Sequence, residues 1–215
     1  MDERARLYLQ DPALFRDVAD EIREAFRPSP KAERLLFSGA YSEFTGRAYE
    51  AIAIHVRRGD LLTQEQGYQP TLTVDCPDYY KAALHSIDNW MDRPVWVFSD
   101  DPDWCEANMG ELLMVQPKVM RWNPPRSHVP AAYRRQEPKD WADLLLMSMA
   151  ADLVMSNSTF AFWAAYLSRS LFSYAGGEEW PPLEARYPSL WFGPKLDYID
   201  TDLLFVDLPW REVPC

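Results

Sequence analysis

The stretch Ala51-Ile52-Ala53-Ile54-His55-Val56-Arg57-Arg58-Gly59-Asp60 decides how the rest of the 215-residue chain is read. Its first half is almost unbroken in apolar and β-branched residues, the mark of a strand buried on both faces. It then ends in an imidazole, two guanidiniums, a glycine and a carboxylate. Two cations stacked at a strand end are costly unless they meet an anion, and a guanidinium grips phosphate through two parallel hydrogen bonds. The stretch therefore points to a phosphate-bearing small molecule bound just past the strand. Alternate side chains on a strand face opposite ways, so only one of Arg57 and Arg58 need reach that ligand. The other is left for a structural ion pair, with Asp60 as a partner close in sequence. His55 has two readings, a hydrogen-bonded core residue or a ligand contact. An unperturbed imidazole is either neutral or charged near neutral pH.

Two further segments repeat the event. Val95–Phe98 runs into Ser99-Asp100-Asp101, and Leu153–Met155 runs into Ser156-Asn157-Ser158-Thr159. Helix-like segments lie between the strands, at Asp78–Asn89 and Trp141–Ala151, and another begins near Thr159 with Phe160, Trp163, Ala164 and Leu167. A short strand is expected at Leu112–Val115. Strands alternating with helices predict an α/β fold with a doubly wound parallel sheet. Ligands of such sheets sit outside the carboxyl ends of the strands, where all three polar clusters fall. Residues 11–26 read as an amphipathic helix opened by Asp11-Pro12, with Phe15, Val18, Ile22 and Phe26 on one face. Residues 1–34 are accordingly set apart as an N-terminal helical segment from a domain at 35–215. Pro117–Lys139, rich in proline and carrying Arg121, Arg126, Arg134 and Arg135, reads as a mobile loop beside the ligand.

Each polar cluster also has a plain structural reading. Asp101-Pro102 is a good helix N-cap pair, leaving Asp100 for the ligand. A metal needs more oxygen ligands than Asp100 and Asp101 supply. Asn157-Ser158-Thr159 fits the N-glycosylation pattern, yet it also fits a helix start whose N–H groups bind an anion. Asp143 is either on a solvent face or aimed at the ligand. Arg58-Gly59-Asp60 spells the cell-adhesion tripeptide, which works only at an exposed loop tip.

Composition narrows the classes. The chain is 47% hydrophobic, 14% aromatic and 26% charged, as a globular protein with a sizeable core is. A formal net charge of -11 argues against nucleic acid and against anionic membrane surfaces as partners. The three cysteines, scattered and odd in number, do not suggest a disulfide framework, and with only three histidines no zinc site is expected. No basic-then-apolar leader and no apolar run of about 20 residues is present, so a soluble, cytoplasmic protein is expected. A Golgi or membrane-associated location follows only if the native gene product is longer.

Taken in order, the segments 55–60, 98–101 with Trp104-Cys105, 143–148 and 157–165 resemble the α-1,2-fucosyltransferases, glycosyltransferase family 11. Gly39-Ala40-Tyr41-Ser42-Glu43 is similar to the segment preceding the arginine motif in that family, and Trp191-Phe192 through Trp210 to its closing region. The resemblance implies a GDP-sugar-binding Rossmann-like domain, the donor half of a GT-B glycosyltransferase, over residues 35–215. It implies transfer of L-fucose from GDP-fucose to a terminal galactose of a glycan acceptor, with inversion, an α-1,2 linkage, no metal and no other cofactor. Arg57 would grip the donor diphosphate, with Arg58 and Asp60 shaping its turn. His55 and Asp143 would meet the guanine or ribose. Asp100 and Asp101 would lie beside the nucleotide, and Asn157, Ser158 and Thr159 near phosphate or fucose. Arg57, Asp60 and Asp143 are the catalytic candidates, the last two as bases. Homo-oligomers are compatible with this reading. Family members open with a Gly-Gly-Leu-Gly-Asn-Gln-type motif that this sequence lacks, so an abbreviated acceptor half is expected. The alternatives are a GDP-sugar-binding pseudoenzyme, or incomplete family member, and a protein O-fucosyltransferase relative.

Overall fold

The structure is a computed structural model that describes residues 12–37, 41–63, 68–121, 140–168, 183–196, 199, 205 and 208–215. At its centre is a six-stranded parallel sheet in the order β3-β2-β1-β4-β5-β6. The strands are β1 Ile52–Val56, β2 Val95–Ser99, β3 Lys118–Val119, β4 Asp152–Val154, β5 Glu184–Pro188 and β6 Arg211–Val213. β1 pairs with β2 from Ile52 opposite Val95 to Val56 opposite Ser99, and with β4 from Ile52 opposite Asp152 to Ile54 opposite Val154. This is the Rossmann-like doubly wound order, and its direction reverses between β1 and β4. The expected fold class is the one observed.

Every residue of β1 is buried because helices cover both faces of the sheet. Ile52, Ile54 and Val56 enter one core layer with Val95, Val97, Tyr79 and Tyr80. Ala53 enters the other with Trp96, Phe98, Leu153 and Phe162. The helices are α1 Ala19–Phe26, α2 Pro30–Leu36, α3 Ser42–Thr45, α4 Leu72–Asp75, α5 Tyr79–His85, α6 Pro102–Leu113, α7 Asp140–Met149 and α8 Thr159–Tyr166.

Several expectations change. The helix expected over 11–26 is broken into two 3-10 turns, Pro12–Leu14 and Arg16–Val18, before α1. Phe15 sits between those turns and stacks on Trp163 of α8 at 5.2 Å, so a tertiary contact overrides the helical period there. Leu112 and Leu113 are not strand but the end of α6, which Met114 closes at φ 58°. The strand lies after that turn, at Lys118–Val119. The cysteines also differ from expectation: Cys76 and Cys215 form a disulfide across 139 residues of sequence, their Cα atoms 5.3 Å apart. Pairing of β6 with β5 carries the end of the chain to the start of α5, a proximity that spacing does not reveal. Residues 122–139 of the expected mobile loop lie outside the described residues. No helix among the described residues is long and apolar enough to cross a membrane.

Candidate functional site

Past Val56 the two arginines part. Arg57 enters a cavity of about 400 Å³ at the carboxyl edge of β2, β1 and β4, where the strand order reverses. His55, Asp60, Asp100, Asp143, Asn157, Ser158 and Thr159 line the same cavity. Arg58 and Asp101 do not; they stand behind it.

Arg57 Nη2 lies 2.8 Å from Asp60 Oδ1 and Nη1 lies 3.2 Å from Asp100 Oδ2. The two carboxylates orient the guanidinium while leaving it 38% exposed toward a ligand. Sequence order offers Asp60 to whichever arginine is structural; in the fold it pairs with the cavity-lining Arg57. Arg58 is 8% exposed. Its Nη1 donates to Thr73 Oγ1 at 2.6 Å, its Nε to Asp101 Oδ2 at 3.3 Å, and its guanidinium lies 3.7 Å over the Trp104 ring. An arginine locked in this way cannot serve as an adhesion motif. Asp101 also caps α6, accepting from the Trp104 N–H at 3.3 Å.

Asp100 is less a free ligand group than a clamp. Its two oxygens accept the backbone N–H groups of Arg58 and Gly59, each at 2.9 Å. Glycine suits this approach, since a Cβ at position 59 would stand 2.7 Å from Asp100 Oδ2 and the carboxylate would have to shift.

His55 is buried, and its Nδ1 is 2.6 Å from Ser156 Oγ. Burial, helped by the charge of Arg57, lowers its pKa to about 3. It is therefore a neutral imidazole at physiological pH, with one nitrogen committed to Ser156. His55 is thus a hydrogen-bonded core residue, and it also lines the cavity.

The β4–α8 turn closes the opposite wall. Ser158 Oγ accepts the Phe160 N–H at 3.3 Å and caps α8, whose N-terminal end faces the cavity. Asn157 is 1% exposed and donates through Nδ2 to the carbonyls of Pro70 at 2.9 Å and Trp191 at 3.3 Å. An amide so buried is not a glycosylation acceptor. Its Oδ1 is buried with no hydrogen-bond partner among the described residues.

Asp143 is partly buried on α7 and lines the cavity. Burial, then the nearby charge of Asp140, raises its carboxyl to about pKa 7. Gln69, Ser99, Asp140 and Phe160 line the cavity too, and none was singled out from sequence. Ser99 was legible as part of a strand-end cluster; Gln69 lies in a loop with no local signal. The arrangement offers an anion one guanidinium and a helix start, and offers a hydrogen-bond donor the carboxyls of Asp140 and Asp143. Among the described residues, no group of three or more His, Cys, Asp or Glu is arranged to hold a metal ion.

The sequence pattern of glycosyl transferase family 11 matches residues 6–174, well over half of the chain. The chain belongs to glycosyl transferase family 11. Among its relatives, galactoside alpha-(1,2)-fucosyltransferase 1 of Saimiri boliviensis boliviensis is 28% identical over 151 residues, 69% of this chain and 36% of that protein. The O-antigen biosynthesis glycosyltransferase WbnK of Escherichia coli is 26% identical over 165 residues, 75% of this chain and 49% of that protein. The chain thus spans about a third to a half of the length of these relatives. Within this family 11 member the matched region takes in β1, β2, β4 and α8, the elements that wall the cavity.

Proposed function

We propose that the cavity binds GDP-fucose and that the protein transfers L-fucose to a galactoside hydroxyl, in an α-1,2 linkage with inversion and without a metal. The observation that carries this reading is Arg57, held by Asp60 and Asp100 at the strand-order reversal and facing the N-terminal end of α8. Family membership and the activity for which the primate relative is named support the transfer and the sugar.

In this reading the diphosphate lies between Arg57 and the turn 157–159. Loss of GDP builds negative charge on the diphosphate, and a guanidinium fixed in advance stabilises that charge most in the transition state. Asp143 in its ionised form accepts the adjacent N–H groups of guanine, with the neutral His55 beside it. Arg58, Asp100 and Asp101 act from behind by fixing the turn. Asp60, which lines the cavity beside Arg57, is the base.

Calorimetric titration with GDP-fucose, GDP and GDP-mannose, followed by transfer of labelled fucose to lactose, tests this reading. Wild-type protein should bind GDP-fucose, and Arg57→Ala should lower transfer by about 10²–10³. Failure to bind any guanine nucleotide would end the reading. Because the chain spans 36% and 49% of the two relatives, a second reading is a donor-binding module that binds without transferring. Binding with no transfer would favour it.

A further inference from the structure

The Cys76–Cys215 bridge joins an anchored sheet edge to a helix that cannot anchor itself. Cys215 lies just past β6, where its N–H donates to Ser189 Oγ at 3.0 Å. The Ser189 N–H donates in turn to the Val213 carbonyl at 3.0 Å, and Val213 pairs with Pro188 of β5. Cys76 closes the other element, α4, its N–H donating to the Leu72 carbonyl at 3.0 Å. With four residues, α4 is too short to be stable through its own hydrogen bonds. It is held by the buried Leu72, by the Asp75 carboxylate, which accepts the Thr71 N–H at 2.7 Å, and by the bridge.

What α4 holds in its turn is the arginine turn. Thr73, inside α4, accepts from Arg58 Nη1 through its hydroxyl at 2.6 Å. Arg58 and Gly59 are the residues whose N–H groups Asp100 clamps, and Arg57 beside them lines the cavity. A continuous path therefore runs from the bridge through Thr73 to the cavity. The bridge also spans a second concavity, a groove of about 780 Å³ that shares Gln69 with the first. Val74 and Asp75 of α4 supply one wall of that groove, and Leu190, next to Ser189, supplies another.

The three cysteines differ in access. Cys215 is exposed, whereas Cys76 and Cys105 are buried. Burial pushes the Cys105 thiol up to about 11, which keeps it protonated and out of thiol exchange. A thiol in solution is thereby directed to Cys215.

Building on the donor reading, we propose that the bridge is a thiol-responsive latch on the arginine turn, opened at Cys215 by an external dithiol. A thiolate of the dithiol attacks Cys215 Sγ, the bond between the two cysteines breaks, and Cys76 Sγ leaves with the bonding pair and takes up a proton. The second thiol of the dithiol loses its proton and attacks its own partner sulfur in the mixed disulfide. Cys215 then leaves as a thiolate and is protonated. The bridge gains two electrons and two protons, and the dithiol ends as a disulfide. With the latch open, α4 frays, the Thr73 hydroxyl releases Arg58, and the turn that presents Arg57 loosens.

Calorimetric titration of GDP into the full chain, before and after dithiothreitol, tests the latch, with free thiols counted by alkylation and mass spectrometry. Opening should weaken GDP binding about ten-fold, the worth of one hydrogen bond to a charged group, and reoxidation should restore it. Cys215→Ser should show the weak affinity with and without dithiothreitol. Thr73→Val should be weakened with the bridge closed and lose little more on opening, whereas Thr73→Ser should follow wild type. Hydrogen exchange supplies a readout independent of GDP: residues 57–60 and 71–76 should exchange faster on opening while β1 and β2 keep their protection. Unchanged GDP affinity with three free thiols, or a full further loss in Thr73→Val, would overturn the latch. So would loss of protection across the whole sheet, because the bridge would then only support the fold, and so would three thiols that stay free in oxidised glutathione. Faster exchange confined to the two segments, in a protein that binds no GDP in either state, would keep the latch and reject the donor reading.

Discussion

Gly59→Ala tests the claim that the arginine turn is held by a carboxylate from the neighbouring strand. Gly59 has φ -36° and ψ -76°, in the right-handed region that alanine also adopts, so any cost comes from contact and not from backbone strain. The new Cβ would meet Asp100 Oδ2 at 2.7 Å. That oxygen cannot swing away freely, because it accepts the Gly59 N–H at 2.9 Å and pairs with Arg57 at 3.2 Å. A hydrogen bond to a charged group contributes about 1.5–3 kcal/mol, and partial exposure of Asp100 favours the lower end. Losing one such bond makes Gly59→Ala cost about 1.5 kcal/mol, and losing both makes Asp100→Ala cost about 3 kcal/mol. In the Asp100→Ala background the clash is gone, and Gly59→Ala should be neutral or stabilising by a few tenths of a kcal/mol through the unfolded chain. Urea unfolding of the four proteins completes the cycle, with an expected coupling of about 1.5 kcal/mol. A Gly59→Ala cost that is the same in both backgrounds would refute the clamp.

Other perturbations probe the rest of the frame. Asp143, raised from 3.8 to about 7, binds more protons folded than unfolded in that interval, so it makes stability fall as pH rises through it. Asp143→Asn should remove that fall in urea midpoints measured across the interval, and parallel pH curves for the two proteins would contradict the assignment. Asp152, buried at the start of β4, pairs with Arg93 at 2.5 Å and Arg186 at 2.6 Å. Asp152→Ala leaves Arg186 buried without that partner and should cost about 3–5 kcal/mol in chemical denaturation, whereas a loss under about 1 kcal/mol would mean that water reaches the pair. Reducing the Cys76–Cys215 bridge, which closes 139 residues, should lower stability by up to about 5 kcal/mol. Denaturation midpoints that are equal with and without reductant would show that the cross-link restricts the unfolded chain little.

Sequence patterning was most legible where one local force dominated. The β1, β2 and β4 segments carry continuous apolar character because both sides are buried, and each expected strand lies within a residue or two of the observed one. The caps Asp101 and Ser158 were legible because a side-chain oxygen a few residues from orphan N–H groups acts locally. β5, with Arg186 at its centre and Pro188 at its end, carried no strand signal, since its charge is neutralised by Asp152 on the adjacent strand. The apolar run at the end of α6 suited strand or helix equally, an ambiguity that periodicity does not resolve in so few residues.

The site divides the same way. Local sequence determined that Arg57, Asp60, Asp100 and the turn 157–159 gather at strand ends, because a strand followed by polar residues puts those residues at its carboxyl edge. Which arginine faces the cavity, what a side chain at residue 59 would meet, and that Gln69 lines two concavities were decided only by tertiary structure. So was the meeting of Cys76 with Cys215. Each depends on groups distant in the chain and brought together by strand register, to which the residues themselves give no local clue.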